Sequence, residues 1–370
     1  MQNYLKSGSE KIHEVIGVMS GTSVDGLDLA CCRFEKKENH WHYSVLAAES
    51  IEYPPKLHDQ LLEIISLPAE IIYSVDVELG EFIGNRVNRF LEGNKLRPQL
   101  VASHGHTVFH QPERKISIQI GNGLAINKIT GIPVIAGFRQ LDVILGGQGA
   151  PLVPIGDRML FAGYDACLNL GGFSNISFEQ KGVRLACDIS PVNIVLNRIA
   201  RRTGKPYDDR GEMARAGNFM KNIFDDLNNL DFYRKPPPKS LGLEWVSEKF
   251  MPVLDKTGKP EDQLRTGIHH IVYQIDHSIR TLLAVRNQKI SVLTTGGGAY
   301  NDYLMELLQE AGGDMIVYEK PDKKLIDFKE AIIFAFLGLL RARGEINTLS
   351  SVTGATSDSS GGVIYDNYSR

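Results

Sequence analysis

Ser20-Gly21-Thr22-Ser23 places three hydroxyls and a glycine where an apolar strand must turn sharply. Such a turn aims backbone N–H groups and hydroxyls at one cluster of anionic oxygens, which is how a phosphate is held. Asp25 and Asp28 follow closely. Carboxylates beside a phosphate repel it unless magnesium stands between them through water or they orient a hydroxyl. Taken alone, the stretch fits equally a hairpin whose glycines only permit positive φ.

A second stretch repeats the plan. Cys167-Leu168-Asn169-Leu170 enters, Gly171-Gly172-Phe173-Ser174-Asn175 turns, and Ile176-Ser177-Phe178 leaves. Two such hairpins, each opening one half of the chain, would clamp the phosphates of one nucleotide, as phosphoryl transfer requires. A third run, Gly296-Gly297-Gly298, follows the strand Ile290 to Leu293 and precedes a helix starting near Asn301. Bare backbone there lets an adenosine approach closely, although an ordinary strand-to-helix turn reads the same way.

Several charged residues are candidates for chemistry. Asp188 follows the strand Val183 to Cys187, and Pro191 is expected to end that strand. A carboxylate exposed there suits a general base that takes a proton from water or a sugar hydroxyl; a cap on the helix near Asn193 is the competing reading. Glu330 is expected at the start of the helix KEAIIFAFLGLL, where the dipole favours negative charge. Arg139 offers two parallel donors to an anion or sugar, or else a surface ion pair. His104 and His106 are candidate substrate contacts or hydrogen-bonded scaffold.

These residues need strands to carry them and helices to cover the strands. Apolar runs at 15–18, 27–31, 167–170, 176–178 and 185–187 predict strands, and apolar spacing from Asp262 to Val285 predicts an amphipathic helix. The alternation argues for an α/β fold duplicated about a boundary near residue 155: an N-terminal lobe 1–155 and a C-terminal lobe 156–370, with the tail packing back on the first lobe. KPPPKSLG, residues 235–242, must be a loop because consecutive prolines remove donors and fix φ. The serine- and glycine-rich stretch 347–362 is expected to be mobile.

Length and composition agree with this reading. The chain has 370 residues, 42% hydrophobic and 23% charged, enough for two cores. Its net charge of −3 is spread along the chain, which argues against nucleic acid or an anionic membrane as partner and leaves a small molecule. The four cysteines form no C-x-x-C pair and read as reduced, buried thiols. The apolar run 331–340 is about half a membrane span, and no apolar signal core opens the chain, so a cytoplasmic enzyme is expected.

The assembled motifs resemble the anhydro-N-acetylmuramic acid kinase family of bacterial cell-wall sugar recycling. The resemblance runs through GVMSGTSVDGLD at 17–28, SHGHT at 103–107, FRQLDVILGGQGAPLVP at 138–154 and LNLGGFSNI at 168–176. It continues through TGKPYDDRG at 203–211, PPKS at 237–240, TTGGGAYN at 294–301, KEAIIFA at 329–335 and SVTGA at 351–355. It implies a two-lobed actin-like ATPase fold that binds ATP and magnesium. The implied reaction is hydrolytic opening of 1,6-anhydro-N-acetylmuramic acid with phosphorylation at O6.

By position the resemblance makes Asp188 the base and Glu330 a supporting carboxylate. Gly21, Thr22, Ser23, Val24, Asp25, Gly26, Leu27 and Asp28 would serve the phosphates with Gly171, Gly172, Ser174 and Asn175. Gly296, Gly297, Gly298 and Asn301 would serve the nucleotide, and His104, Thr107, Arg139 and Asn193 the sugar. Magnesium is implied through water near Asp25, Asp28 and Glu330, and a homodimer by analogy. The chain departs from the family pattern at Gly137, where an acid usually precedes Phe-Arg, at His106, where glutamine is usual, and at Ile189-Ser190 and Val192, where the family reads D-T-G-P-G-N. An actin-like kinase for a different sugar, or a nucleotide sensor without transfer, are the competing readings.

Overall fold

The computed structural model describes residues 12–21, 24–256, 258–284 and 288–366. Thirteen strands run along them. They are β1 (Ile12–Ser20), β2 (Leu27–Lys37), β3 (His40–Ile51), β4 (Leu100–Ser103), β5 (His106–Gln111), β6 (Ile116–Ile120) and β7 (Val134–Ala136). Then follow β8 (Ala166–Leu170), β9 (Phe173–Gln180), β10 (Val183–Pro191), β11 (Ile290–Thr295), β12 (Ile316–Glu319) and β13 (Val363–Tyr365). The chain folds as two compact units, one of residues 1–160 with 328–370 and one of residues 161–327.

In the first unit the sheet order is β13-β7-β4-β1-β2-β3. Strands β1, β2 and β3 are antiparallel neighbours, and β4 and β7 add in parallel on the other side of β1. In the second unit the order is β10-β9-β8-β11-β12, again with three antiparallel strands and two parallel additions. With β13 set aside, both sheets read 3-2-1-4-5 by order of appearance, and the two glycine hairpins, β1–β2 and β8–β9, occupy the same place in each. The duplication suggested by the hairpins is therefore a duplication of whole sheets.

Burial explains why these segments are strands. Val15, Ile16 and Val18 have no exposed surface, so β1 reads as a nearly continuous apolar run, as a strand covered on both faces does. The helix Ala69–Asn94 lays Val75, Leu79, Ile83 and Val87 against Ile16, Val18 and Leu29. The helix Lys323–Ala342 comes much closer to β1: a Cβ on Gly17 would fall on the carbonyl oxygen of Ala331, and one on Gly338 would lie 2.5 Å from the Ala102 Cβ. Two glycines thus let helix and sheet meet almost backbone to backbone. In the second unit the helix Pro260–Leu282 buries Leu264, Ile268, Ile271, Ile275 and Ile279 against Leu168, Ile176 and Val292.

Several expectations change. Residues 328–370 belong to the first unit rather than to a single lobe 156–370, because the helix Lys323–Ala342 passes from one unit to the other. The same helix begins seven residues before Glu330, so Glu330 does not sit at a helix N-terminus. Strand β10 continues through Pro191, so Asp188 lies within it rather than at its end. The stretch 347–362 is tied down rather than mobile: Asn347 Nδ2 donates to the carbonyls of Leu337 and Gly361, and Thr353 Oγ1 donates to Asp142 at 2.7 Å. Beyond it, β13 pairs with β7.

Gly17→Ala should lower the stability of the protein by roughly 3 kcal/mol, the upper range for overpacking a filled site. Gly163, with nothing within 4 Å of its would-be Cβ, supplies the control, and Gly163→Ala should stay within about 0.5 kcal/mol. Equal urea midpoints for the two variants would contradict the close seating of the helix.

Candidate active site

The second unit holds a cavity of about 620 Å³ beside the glycine run, lined among others by Gly297, Asn301, Tyr207, Arg210, Tyr300 and Lys323. That volume suits a nucleoside-sized ligand. Gly296 sits at φ +84°, and Cβ atoms on Gly296 or Gly298 would strike the backbone of Leu170 or its side chain, so the run is needed to pack against the end of β8. Gly297 is exposed and borders the cavity. Asn301 caps the helix Asp302–Gly312, its side-chain oxygen accepting from Leu304 N at 2.9 Å.

Sequence reasoning assigned no role to Tyr207, Arg210, Tyr300 or Lys323. The motif TGKPYDDRG contains the first two and was the available signal. Asp208 shapes that motif by accepting from the N–H groups of Met213 and Ala214 at 2.8 and 3.0 Å. Tyr300 is held by donation to Asp327 at 2.6 Å, with the ammonium groups of Lys320 and Lys323 each 5.3 Å from its ring centre.

At the second hairpin, the carbonyls of Gly171 and Gly172 accept from Val192, Asn193 and Ile194, which ties the turn to the helix Asn193–Arg201. Asn193 Nδ2 donates to Leu170 O at 3.1 Å, so this amide braces the turn. Ser174 is fully buried; its hydroxyl accepts from Ser190 N and donates to Ser190 O. It therefore closes the bulge between Asp188 and Ser190 and is not open to a phosphate, contrary to expectation.

Asp188 stands opposite Asn175 in the ladder, and Asn175 opposite Asn169. Directly opposed residues share a face, so the three form a polar row beside the glycine turn. Asn169 was not anticipated, since only the register brings it there. The Asp188 carboxylate accepts from Leu241 N at 2.8 Å, and its own N–H donates to Lys239 O at 3.0 Å. Burial raises its pKa from the ordinary aspartate value, and the Leu241 N–H opposes that rise. The cap position of the helix after it is Val192, which excludes the capping alternative.

In the first unit Arg139 is held on two sides. Its Nη1 donates to Gly149 O at 2.7 Å, while Nε and Nη2 both donate to His104 Nε2, at 3.0 and 2.8 Å. His104 Nδ1 faces the Gly105 carbonyl at 2.7 Å, which assigns the proton to Nδ1 and leaves Nε2 as acceptor. Burial and the Arg139 charge push His104 down to about 3, so it is neutral. It is 4% exposed, with its ring 4.7 Å from that of Phe334. His104 thus stands behind Arg139 rather than in contact with a ligand, and it fills the role of partner that Gly137 leaves open. Asp142 fixes the other support by accepting from Gly149 N at 2.7 Å and from Thr353, which explains the SVTGA motif.

Burial lowers Arg139 to about 10 against the opposing pull of Glu330, so it stays cationic at neutral pH. Glu330 is raised, first by desolvation; Arg139 and Lys329 pull it back, and Asp28 and Asp25 add to the rise. Its side chain is nonetheless exposed, so solvent screens these effects and no energy follows from them. Lys329 is buried and paired with Asp157 at 2.8 Å. Among the described residues no three acidic, histidine or cysteine groups converge as direct metal ligands. The mutual repulsion of Asp25, Asp28 and Glu330 fits a cation held through water.

The first hairpin turn holds Val24 at φ +55° and Gly26 at φ +153°, so a β-branched residue as well as a glycine takes the left-handed geometry. Thr22 and Ser23 lie outside the described residues. Gly21 O accepts from Val24 N at 3.2 Å, Asp25 is exposed, and Val24 and Leu27 are buried in the core. Asp28 accepts from Ser50 Oγ. Ser20 Oγ accepts from Tyr53 at 2.8 Å and lies 3.4 Å from His106 Nδ1. Thr107 is the second residue of β5, half-buried, with Gln119 Nε2 3.4 Å from its hydroxyl.

Two sheets of one topology, each opening on a hairpin turn, with a nucleoside-sized cavity in the second unit, make the duplicated architecture expected of an actin-like ATPase fold. The family model described as "Anhydro-N-acetylmuramic acid kinase" matches residues 13–367, and the chain belongs to that family. A relative of that name from Sulfurimonas denitrificans is 33% identical over 377 residues, covering 95% of this chain and 99% of its own. Another, from Sulfurovum sp. (strain NBC37-1), is 35% identical over 367 residues, covering 95% and 98%.

Two outcomes follow for His104. His104→Ala should cost about 1–3 kcal/mol in stability by leaving guanidinium donors unpaired, while His104→Gln, whose amide oxygen can stand in for Nε2, should retain most of it. Because its folded pKa is near 3 against 6.5 unfolded, His104 contributes stability present above pH 6.5 and lost as pH falls toward 3. Urea titrations over that window should show a shallower loss for His104→Gln than for the wild type; identical slopes would contradict a neutral buried His104.

Proposed function

We propose that the protein uses ATP to convert 1,6-anhydro-N-acetylmuramic acid and water into N-acetylmuramic acid 6-phosphate and ADP, in cytoplasmic recycling of cell-wall sugars. The observation that carries this is Asp188: in a chain matched to the family over residues 13–367, a half-buried carboxylate of raised pKa lies in a polar row beside the second glycine turn. Such a group suits a general base.

Asp188 takes a proton from water as the water oxygen bonds to C1 of the sugar. The C1–O6 bond breaks, and O6 takes the γ-phosphoryl group while ADP leaves. Arg139 keeps its full charge, because its partners are a neutral imidazole and a carbonyl, and it binds the acceptor together with Thr107. The nucleoside occupies the cavity by Gly297 and Tyr300, and each hairpin turn, Gly21 to Asp28 in the first unit and Gly171–Gly172 in the second, serves as a phosphate-binding turn of its own unit. Magnesium, held through water near Asp25, Asp28 and Glu330, would offset the charge on the transferring phosphoryl oxygens.

Three of the departures from the family pattern, at His106, Ser190 and Val192, favour the same acceptor over another. His106, Ser190 and Val192 are 3%, 0% and 0% exposed, so they alter scaffold rather than a surface that a sugar touches.

Incubated with magnesium-ATP and the anhydro sugar in oxygen-labelled water, the protein should give a 6-phosphate carrying label at C1. Product without label would reduce the reaction to simple transfer, and no product would sink the proposal. Asp188→Asn should lose turnover by at least about a hundredfold while keeping ATP affinity within roughly twofold. Since the base works ionised and its pKa is raised, kcat/KM should fall on acidification at a pH above the usual aspartate value of 3.8.

A further inference from the structure

The segment KPPPKSLG has no role in the chemistry above, yet it touches Asp188 twice. Lys239 O accepts the Asp188 N–H at 3.0 Å, and Leu241 N donates to the carboxylate at 2.8 Å. No helix or strand lies between Arg234 and Leu243, so the segment has no backbone pattern of its own to hold it. Side chains at its base do so instead. The Lys239 ammonium lies 4.5 Å over the ring of buried Phe232 and 3.4 Å from the Phe232 carbonyl, and Phe232 packs on Trp245 at 5.4 Å. Here a cation and an aromatic face fold the segment back on its own start.

The neighbouring Tyr233 reaches the opposite way. Its hydroxyl lies 2.8 Å from His270 Nε2 and 3.4 Å from Ser190 Oγ. Ser190 is the residue on the far side of the bulge from Asp188, and its hydroxyl donates to Pro191 O at 3.2 Å. With that proton committed, Ser190 Oγ accepts from Tyr233, and Tyr233 in turn accepts from a proton on His270 Nε2. His270 Nδ1 then carries a lone pair, which agrees with its having no hydrogen-bond partner. One end of the segment is thereby anchored to the strand that bears Asp188, and the other end grips the carboxylate.

We propose that residues 232–241 form a clamp that holds Asp188 in its working geometry and ionisation, with Tyr233 and Lys239 as positioning residues. This rests on the reading of Asp188 as the base. The physical reason is an opposition of two effects: burial disfavours the carboxylate form, and the Leu241 N–H restores it. Loosening the segment withdraws the N–H while the surrounding strands stay in place, so Asp188 binds its proton more tightly. The other titratable groups about it are Cys187, raised to about 11, Tyr233, raised further, His270, pushed down to about 3, and Lys239, lowered by burial. Cys187, Tyr233 and His270 do not change charge across mildly acidic pH, where the carboxylate titrates.

The test is the pH dependence of kcat/KM with magnesium-ATP and the anhydro sugar, for the full chain and for Tyr233→Phe, Lys239→Met and Lys239→Arg. The acidic limb should move up by about one unit in Tyr233→Phe and Lys239→Met, a roughly tenfold loss on the limb that closes to within about twofold above it. Lys239→Arg, which keeps a cation over Phe232, should track the wild type, and affinity for a non-hydrolysable ATP analogue should be unchanged in all three. An unmoved limb, or a loss equal at every pH, overturns the clamp. If Tyr233→Phe does not fold, the half-buried Lys239 pair carries the test. Asp188→Asn run in parallel separates the two ideas: if it turns over normally, the base assignment fails; if it is inactive while the limb stays in place in the variants, only the clamp fails.

Discussion

The carbonyl oxygen of Ala331 occupies the space where any side chain at position 17 would stand. Helix Lys323–Ala342 can therefore rest on β1 only because that strand carries a glycine, and the approach sets the height of everything on the helix relative to the sheet. Phe334 reaches the His104 ring from it, and Glu330 is held near enough to Arg139, Asp25 and Asp28 for their charges to be felt. Asn347, just beyond the helix, draws the following chain back onto it through Leu337 O. A looser seating would blur all of these relations together, since each depends on side chains of fixed length.

In each unit the charge proposed for the chemistry is placed by neutral groups. Arg139 is oriented by an imidazole and a carbonyl, Asp188 by backbone N–H and C=O. A carboxylate behind Arg139 would cancel its charge, and an ammonium against Asp188 would make it a weaker base. Neutral hydrogen bonds fix geometry and leave the charge for a ligand. The cost is burial of polar groups, which burial of His104 and Asp188 expresses as shifted proton affinity rather than as lost structure.

How far the sequence was legible differs from element to element. The hairpins Ile12–Lys37 and Ala166–Gln180, the long helix of the second unit and the loop at 235–242 were readable because glycine, proline and apolar periodicity act on the backbone within a few residues. Asp188 and Arg139 were readable as candidates because their chemistry is carried by residue type. The start of the helix before Glu330 was misplaced because Lys323 to Phe328 lacks the apolar run that drew attention to KEAIIFAFLGLL.

By itself, then, the sequence determined an α/β chain with repeated glycine hairpins and a motif order that belongs to one kinase family, since these are local or additive properties. Tertiary structure alone decided that His104 serves Arg139 from 35 positions away, that Asn169 joins Asn175 and Asp188 in one row, and that Tyr207, Arg210, Tyr300 and Lys323 line one cavity. It also decided that the serine-rich stretch after Asn347 is ordered, through Asp142 and Leu337. Each of these depends on register and packing between residues far apart in the chain, for which neither residue type nor spacing leaves a local trace.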